Sequence, residues 1–175
     1  CAVCDGNFFR GKDVVVVGGG DAAIDEGLYL TGIVNQVTVV HRRDQLRASK
    51  ILQERAFKTP NMKFLWSHVV ERIVGNGEVE AVELKNLKTE ESYLYPTSAV
   101  FIYIGFHPNS DPVKDVVEVD EFGHVVTDIN MRTNVPGIFA AGDIRKDSYR
   151  QLGTAVGDGI TAALSAYHYI TSGGH

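Results

Sequence analysis

The first hundred residues alternate short apolar runs with amphipathic stretches, which is the pattern of an α/β fold. Residues 14–17 are four consecutive valines, typical of a parallel strand that is buried on both faces. A helix is predicted to follow Gly20 and to end near Gly32, and the residues 37–40 and 63–66 predict two further strands around a second helix, 47–58. The predicted inward faces are Ala23, Ile24, Gly27 and Leu28 on the first helix, and Leu46, Ile51, Leu52 and Ala56 on the second.

The pattern then changes to alternating strands, predicted over 69–74, 79–87 and 92–95. The Asn76-Gly77 pair between the first two is a strong hairpin signal, so these strands form an antiparallel meander. A buried strand over 99–104, closed by Gly105, returns to the parallel sheet. The fold class is therefore α/β, a Rossmann-like βαβ unit with an appended meander.

From Phe106 onward the chain has the pattern of a different domain. Strands are predicted over 125–128 and 137–141, and a long helix over 153–170, with a loose tail after it. We expect one helix face to be inward and a neighbouring flank of small residues to allow close packing. The inward face is Val156, Ile160, Ala163, Leu164 and Tyr167, and the flank is Ala155, Gly159, Ala162 and Ala166.

Charge and length exclude several classes of protein. A net charge of −5 argues against nucleic acid or an anionic membrane as the main partner, and no apolar run reaches the roughly eighteen residues of a membrane span. We see no signal-peptide pattern, and two cysteines are too few for a secreted disulfide framework. A cytoplasmic location is the expectation.

The turn between the first strand and the first helix carries the pattern Gly-x-Gly-x-x-Ala. It consists of Gly18, Gly19, Gly20, Asp21, Ala22 and Ala23. Glycines here let the backbone approach a pyrophosphate, whose charge the amides at the helix N-terminus stabilise. The alternative is a simple tight turn, which the motif alone does not exclude.

The decisive stretch follows the second strand, where a dinucleotide-binding unit contacts the adenosine ribose. An NAD site needs an acidic residue there, whereas this chain has His41, Arg42, Arg43 and Arg47. Guanidinium groups bind a 2′-phosphate bidentately. The alternative is a solvated charged surface, but cations at a helix N-terminus oppose the helix dipole, so their presence suggests an anion. The sequence therefore predicts NADPH as the ligand.

Cys1 and Cys4 form a CxxC pair followed by Asp5. Thiols at this spacing can close a small disulfide that cycles between oxidised and reduced forms. Half of a zinc site is the competing interpretation, but no second CxxC or suitably spaced histidine pair accompanies it, and we predict no metal. Asp5 is equally compatible with proton transfer to a thiol and with a turn before Gly6.

These motifs, together with Gly142-Asp143 and Arg150-Gln151, occur in the order and spacing of bacterial-type low-molecular-weight thioredoxin reductases, which the chain resembles over essentially its whole length. The flavoprotein partner of alkyl hydroperoxide reductase shares the CxxC and the Gly-Asp motif but lacks the arginine pair. Arg42 and Arg43 therefore favour the thioredoxin branch.

The resemblance implies a relay in which electrons pass from NADPH to FAD, then to the Cys1–Cys4 disulfide, then to thioredoxin. It implies that Cys4 faces the flavin, that Cys1 attacks the partner and that Asp5 manages the proton. The positions implied to bind FAD are Gly105, Gly142, Asp143, Arg150, Gln151 and Leu152. Leu152 departs from the alanine usual in the family. The resemblance also implies a homodimer for the intact enzyme.

A further departure is that the family's N-terminal FAD-binding unit has no counterpart before Cys1. We therefore expect a fragment, with residues 1–102 as the NADPH-binding domain and 103–175 as the C-terminal part of the FAD-binding domain. Its apolar surface over 106–170 should lie exposed, and FAD should bind only with the missing half present. The alternative functions are an NADPH-binding module without turnover and the hydroperoxide-reductase flavoprotein.

Overall fold

A computed structural model describes residues 1–173 and divides the chain into two compact units, Cys1–Gly105 and Phe106–His175. Gly174 and His175, the end of the predicted tail, lie outside the described residues. No helix among residues 1–173 combines the length and apolar character needed to cross a membrane.

The first unit is built on a four-stranded parallel sheet in the order β3-β2-β1-β7. Its strands are β1 (Asp13–Gly18), β2 (Gln36–His41), β3 (Met62–Trp66) and β7 (Ala99–Tyr103). Two helices connect them, α2 (Asp21–Thr31), which Gly32 caps, and α3 (Lys50–Lys58). The α/β fold predicted from the sequence is confirmed.

The consecutive valines of β1 face opposite sides of the sheet, because side chains alternate along a strand. Val14 and Val16 pack with Ile24 and Leu30 of α2. Val15 packs instead against the meander, in a second cluster that contains Val40, Val82 and Leu84. Helices therefore cover one face of the sheet and the meander covers the other, which is why all four residues between Asp13 and Gly18 are apolar.

The meander consists of β4 (His68–Gly75), β5 (Val79–Asn86) and β6 (Ser92–Pro96), paired antiparallel as predicted. The first residues form an element that the hydrophobic pattern did not predict, the short helix α1 (Ala2–Asp5) followed by a 3₁₀ turn at Gly6–Phe9. Ala2 is fully buried in the same cluster as Val14, so the CxxC segment is anchored to the core of the first unit.

The second unit has less regular structure than the sequence predicts. The strands expected over 125–128 and 137–141 are wrong, since these segments make only isolated bridges, Val119 to Val125, Val125 to Arg145 and Arg132 to Phe139. A short apolar run indicates that a segment is buried. It does not indicate whether a neighbouring segment pairs with it over enough residues to form a strand ladder. The regular elements are a 3₁₀ turn at Gly142–Ile144 and the long helix α4 (Leu152–Thr171).

One residue of the predicted face of the second helix and the whole predicted inward face of α4 are wrong, whereas Leu46 and Ala56 are buried and Leu52 packs against the core. Ile51 on α3 is 68% exposed, although Ala56 is buried as expected. On α4 the predicted inward face is exposed, and the buried positions are Asp158 and Ser165. Three residues of the small-residue flank, Ala155, Ala162 and Ala166, are partly buried, whereas Gly159 of the same flank is exposed. The expectation that apolar surface in this part of the chain lies exposed agrees with these positions.

Candidate functional site

The glycine turn after β1 forms a close backbone junction. Gly18 has φ +147°, and a Cβ there would lie 2.8 Å from the Cβ of Ala23 and collide with the carbonyl of Tyr103, its register partner in β7. Gly20 caps α2 without a side-chain hydrogen bond. The first amides of this 11-residue helix therefore have no capping side chain, which leaves them available to an anion.

The arginine loop, residues 42–49, is tied to this turn. The carbonyl of Gly19 accepts the N–H groups of Arg47 at 2.7 Å and Ala48 at 3.1 Å. The carboxylate of Asp21 accepts the N–H of Ser49 at 2.6 Å. These three bonds hold the loop against the start of α2, so the positive charge and the helix N-terminus share one side of the sheet.

The three arginines lie in this loop and not at a helix N-terminus, because α3 begins only at Lys50. The argument from helix-dipole repulsion is therefore wrong for Arg42, Arg43 and Arg47. All three are exposed, and among residues 1–173 none of their guanidinium groups forms an ion pair. They line a surface cavity of about 500 Å³, so the charge is present without an internal partner.

His41 ends β2 and is 6% exposed, and its Nε2 atom has no hydrogen-bond partner in the described chain. Burial lowers the pKa of His41, partly opposed by a hydrogen bond with the backbone of Gln45 and reinforced by the nearby arginines, of which Arg47 contributes most. Its ring occupies the space that a Cβ on Gly19 would need. A buried polar atom without a partner is uncommon and suggests that a ligand completes the site.

A second cavity, of about 340 Å³, joins the turn and the loop. Gly18, Gly19, His41, Arg42 and Arg47 all line it, as do two residues that the motifs did not indicate, His68 and Tyr103. Both follow or end a strand at the carboxyl edge of the sheet, which is where parallel sheets place ligands. That rule was the signal available for finding them. Three other predicted site residues do not line this second cavity. Arg43 lines the first cavity, Ala22 is exposed, and Ala23 is buried in the core.

Cys1 and Cys4 are joined by a disulfide, with their Cα atoms 5.3 Å apart. Both residues and Asp5 are exposed, and Cys1 and Asp5 line a mostly apolar cavity of about 510 Å³ together with Phe8 and β7. The disulfide therefore lies at the surface of the first unit. Within residues 1–173 no group of three or more His, Cys, Asp or Glu side chains is arranged to hold a metal ion.

The remaining candidate residues belong to the second unit, apart from Gly105, which ends the first. Gly142 starts a 3₁₀ turn, and its N–H donates to the buried carboxylate of Asp158 at 3.1 Å. Asp143 is exposed. Gln151 and Thr154 form a capping box at the start of α4, and Leu152 is 83% exposed.

Arg150 is already engaged by protein groups. It donates to Nε2 of His124 at 2.9 Å and lies 4.7 Å from the ring centre of Phe106. Because a guanidinium only donates, His124 must accept at Nε2 and carry its proton on Nδ1, which faces Asp120 at 3.2 Å. Neither His124 nor Asp120 was indicated by the sequence.

Comparison with known proteins decides the family. The model of the family described as pyridine nucleotide-disulphide oxidoreductase matches residues 4–159. The chain belongs to this family. Of its relatives, thioredoxin reductase of Bacillus subtilis is 52% identical over 171 residues, which cover 97% of this chain and 54% of the relative. Thioredoxin reductase of Listeria innocua is 50% identical, with the same shares covered.

Solved structures give the same result. Thioredoxin reductase from Streptococcus pyogenes matches with a TM-score of 0.91 and 51% identity, covering 98% of this chain and 56% of that chain. The Lactococcus lactis enzyme in its FR conformation is 47% identical with a TM-score of 0.68, covering 98% and 57%. The chain thus spans about half the length of the family members to which it is similar.

Proposed function

We propose that this chain supplies the NADPH-binding and disulfide-bearing part of an NADPH-dependent thioredoxin-disulfide reductase. The observation that carries the proposal is the set of arginines without ion pairs, held by backbone hydrogen bonds beside the glycine turn. The family match and the thioredoxin reductase relatives support it.

The residues present fit the pyridine nucleotide. Its pyrophosphate would lie at the glycine turn, beside the first amides of α2, which no side chain caps. Arg42, Arg43 and Arg47 provide charge for the 2′-phosphate, and the unpartnered Nε2 of His41 provides a further polar group. The carboxylate of Asp21 accepts the N–H of Ser49, so Asp21 would hold the arginine loop in place. The glycines would then contact the nucleotide directly.

Only part of a flavin site is proposed within these 175 residues. Gly142, Asp143, Arg150, Gln151 and Leu152 remain the proposed contacts, although Arg150 is held by His124 in this structure. We propose that the additional length of the relatives supplies the rest of the flavin site. In the intact homodimer, NADPH would supply hydride and FAD would transfer the electron pair.

The cysteines perform the last step. Two electrons and two protons would open the Cys1–Cys4 bond to a dithiol, and we propose that Asp5, which follows Cys4 directly in the chain, exchanges one of the protons. The thiolate of Cys1 attacks the disulfide of thioredoxin, and Cys4 then attacks the mixed disulfide, which releases reduced thioredoxin and restores the bond.

The test is a titration of the protein with NADPH and with NADH. We expect NADPH to bind much more tightly, and the double variant Arg42→Ala, Arg43→Ala to lose roughly 100-fold or more in NADPH affinity, since hydrogen bonds to charged groups contribute about 1.5–3 kcal/mol each. NADH affinity should hardly change. Arg55→Ala, Lys58→Ala removes the same charge from the exposed last turn of α3 and should bind NADPH normally.

Equal affinities for the two nucleotides would contradict the proposal. The second candidate function is a nucleotide-binding module without turnover. The uncapped N-terminus of α2 favours it, because binding of a nucleotide there requires no flavin. A visible flavin spectrum in protein purified from its natural source favours the reductase, whereas colourless protein that still prefers NADPH favours the module.

A further inference from the structure

The redox turn is held to the core of the first unit by a polar clamp. We use this name for Glu26 of α2, Tyr103 at the end of β7 and the backbone amide of Ala2. The Ala2 N–H donates to Oε2 of Glu26 at 2.9 Å and to the hydroxyl of Tyr103 at 3.0 Å. The Tyr103 hydroxyl in turn donates to the same Glu26 oxygen at 3.1 Å.

The clamp acts on the residue that adjoins the disulfide. Ala2 is fully buried and follows Cys1 directly, whereas Cys1, Val3 and Cys4 are all exposed. Ala2 is therefore the point at which the short helix α1 is anchored, through its side chain in the apolar core and through its amide in the clamp. A segment of four residues has too little helical hydrogen bonding to hold its own shape.

The protonation states of the clamp suit this geometry. Burial raises the pKa of Tyr103 to about 12, and the negative charge of Glu26 adds to the effect. The phenol therefore stays protonated and donates to the carboxylate, while its oxygen accepts the Ala2 N–H. Each of the three polar groups is satisfied by the other two, as buried polar groups require.

We propose that Glu26 and Tyr103 are positioning residues for the redox disulfide, because they fix the backbone of Ala2 and so hold the two cysteines at the separation at which the bond closes. The Cα separation of 5.3 Å lies within the range that a disulfide needs. The inference rests on the proposed function only in taking this disulfide as the redox group. Without the clamp, the dithiol form gains backbone freedom and the disulfide becomes easier to reduce.

The experiment measures the disulfide–dithiol equilibrium of the 175-residue chain in buffers of fixed oxidised-to-reduced dithiothreitol ratio. Free thiols are labelled with a maleimide and counted by mass. Glu26→Ala is expected to shift the equilibrium about tenfold toward the dithiol, which corresponds to about 30 mV. Tyr103→Phe should shift it about threefold. Glu26→Gln keeps a carbonyl that can accept the Ala2 N–H, so it should recover part of the loss.

The controls separate positioning from general stability. Asp25→Ala removes a carboxylate from the neighbouring exposed position of α2 and should leave the equilibrium within about twofold of the parent. Tyr93→Phe removes a hydroxyl that bonds His68 in the meander, so it costs stability without touching α1. The double variant Glu26→Ala, Tyr103→Phe should resemble Glu26→Ala alone, because groups of one network are not additive.

The proposal is overturned if Glu26→Ala and Asp25→Ala give the same dithiol fraction, or if Tyr93→Phe shifts it as much as Tyr103→Phe. No nucleotide, flavin or thioredoxin takes part in this measurement. Its failure would therefore leave the NADPH preference of the arginine loop untouched, and a failure of that preference would leave the clamp untouched.

Discussion

The two units differ in which residues they bury. In the first, the central strand β1 and helix α2 bury large apolar side chains completely, among them Val15, Val16 and Ile24. In the second, the buried apolar side chains are Val117, Val125 and Met131, whereas six large apolar residues of α4 are more than half exposed. These exposed residues are Leu152, Val156, Ile160, Leu164, Tyr167 and Ile170.

The second unit relies on polar contacts where the first relies on packing. Asp158 is buried and accepts two hydrogen bonds from Arg145, at 2.6 and 3.1 Å, and one from the N–H of Gly142. The side of α4 that packs within its own unit is thus mostly small or polar, apart from Tyr169 against Phe139, and its apolar stripe is exposed. An exposed apolar stripe of this length is typical of an interaction surface. The comparison supports our proposal that additional chain completes the flavin half.

The largest effect is expected when an isoleucine is replaced by alanine in a helix of each unit. Ile24→Ala opens a cavity in a fully buried cluster and should lower the free energy of unfolding by about 4 kcal/mol. Ile160→Ala on α4, where the side chain is 58% exposed, should change it by less than about 0.5 kcal/mol. Urea unfolding followed by circular dichroism measures both. Comparable losses would show that the α4 stripe is packed in solution.

A smaller effect is expected from the ion pair of the second unit. Asp158→Ala leaves Arg145 without its partner and should destabilise that unit by about 3 kcal/mol. Asp111→Ala breaks the exposed pair with Lys114 in the same unit and should hardly change the stability of that unit, because water screens such a pair. Hydrogen exchange of the α4 amides, resolved by mass spectrometry, reports on this unit separately. Equal protection in the two variants would contradict the importance of the buried pair.

Acidic pH should weaken the same ion pair between Asp158 and Arg145. Hydrogen bonds from Arg145, and then from Gly142, hold the pKa of Asp158 below its ordinary value. A carboxyl with a lowered pKa in the folded state contributes stability above its unfolded pKa, about 3.9, and loses it as pH falls further. Protection of α4 should therefore decline in acid for the parent chain, and less so for Asp158→Ala.

The first unit was predictable because its signals are local. The valine run, the glycine turn and the Asn76-Gly77 hairpin each fix a strand or turn without reference to distant residues. The cavity at the carboxyl edge of the sheet followed from strand order, which brings His41 and Gly18 together. Tyr103 and Glu26 were missed because their roles come from contacts 77 residues apart in the chain.

The second unit was less predictable for a physical reason. Periodicity places Val156, Ile160 and Leu164 on one face of α4, but it cannot say whether the surface that covers this face lies within the same 175 residues. The apolar runs near Val125 and Phe139 were predicted as strands, but apolar residues occur in buried irregular segments as well as in paired strands. Likewise, a loop of charged residues before Lys50 could not be distinguished from a helix start by sequence alone.

The smallest expected effect is a loss of stability at alkaline pH. It tests how closely the first unit packs around the hydroxyl of Tyr103. Because burial raises the pKa of Tyr103 to about 12, its phenol contributes stability that is complete below the unfolded pKa of about 10 and is lost as pH rises toward 12. Ultraviolet titration should show a late tyrosinate step, which Tyr103→Phe abolishes. Tyr93→Phe, whose hydroxyl bonds His68, should retain that step. A Tyr103→Phe profile identical to that of the parent would mean that the phenol is open to water, and that the first unit is less tightly closed at the redox turn than its valine core implies.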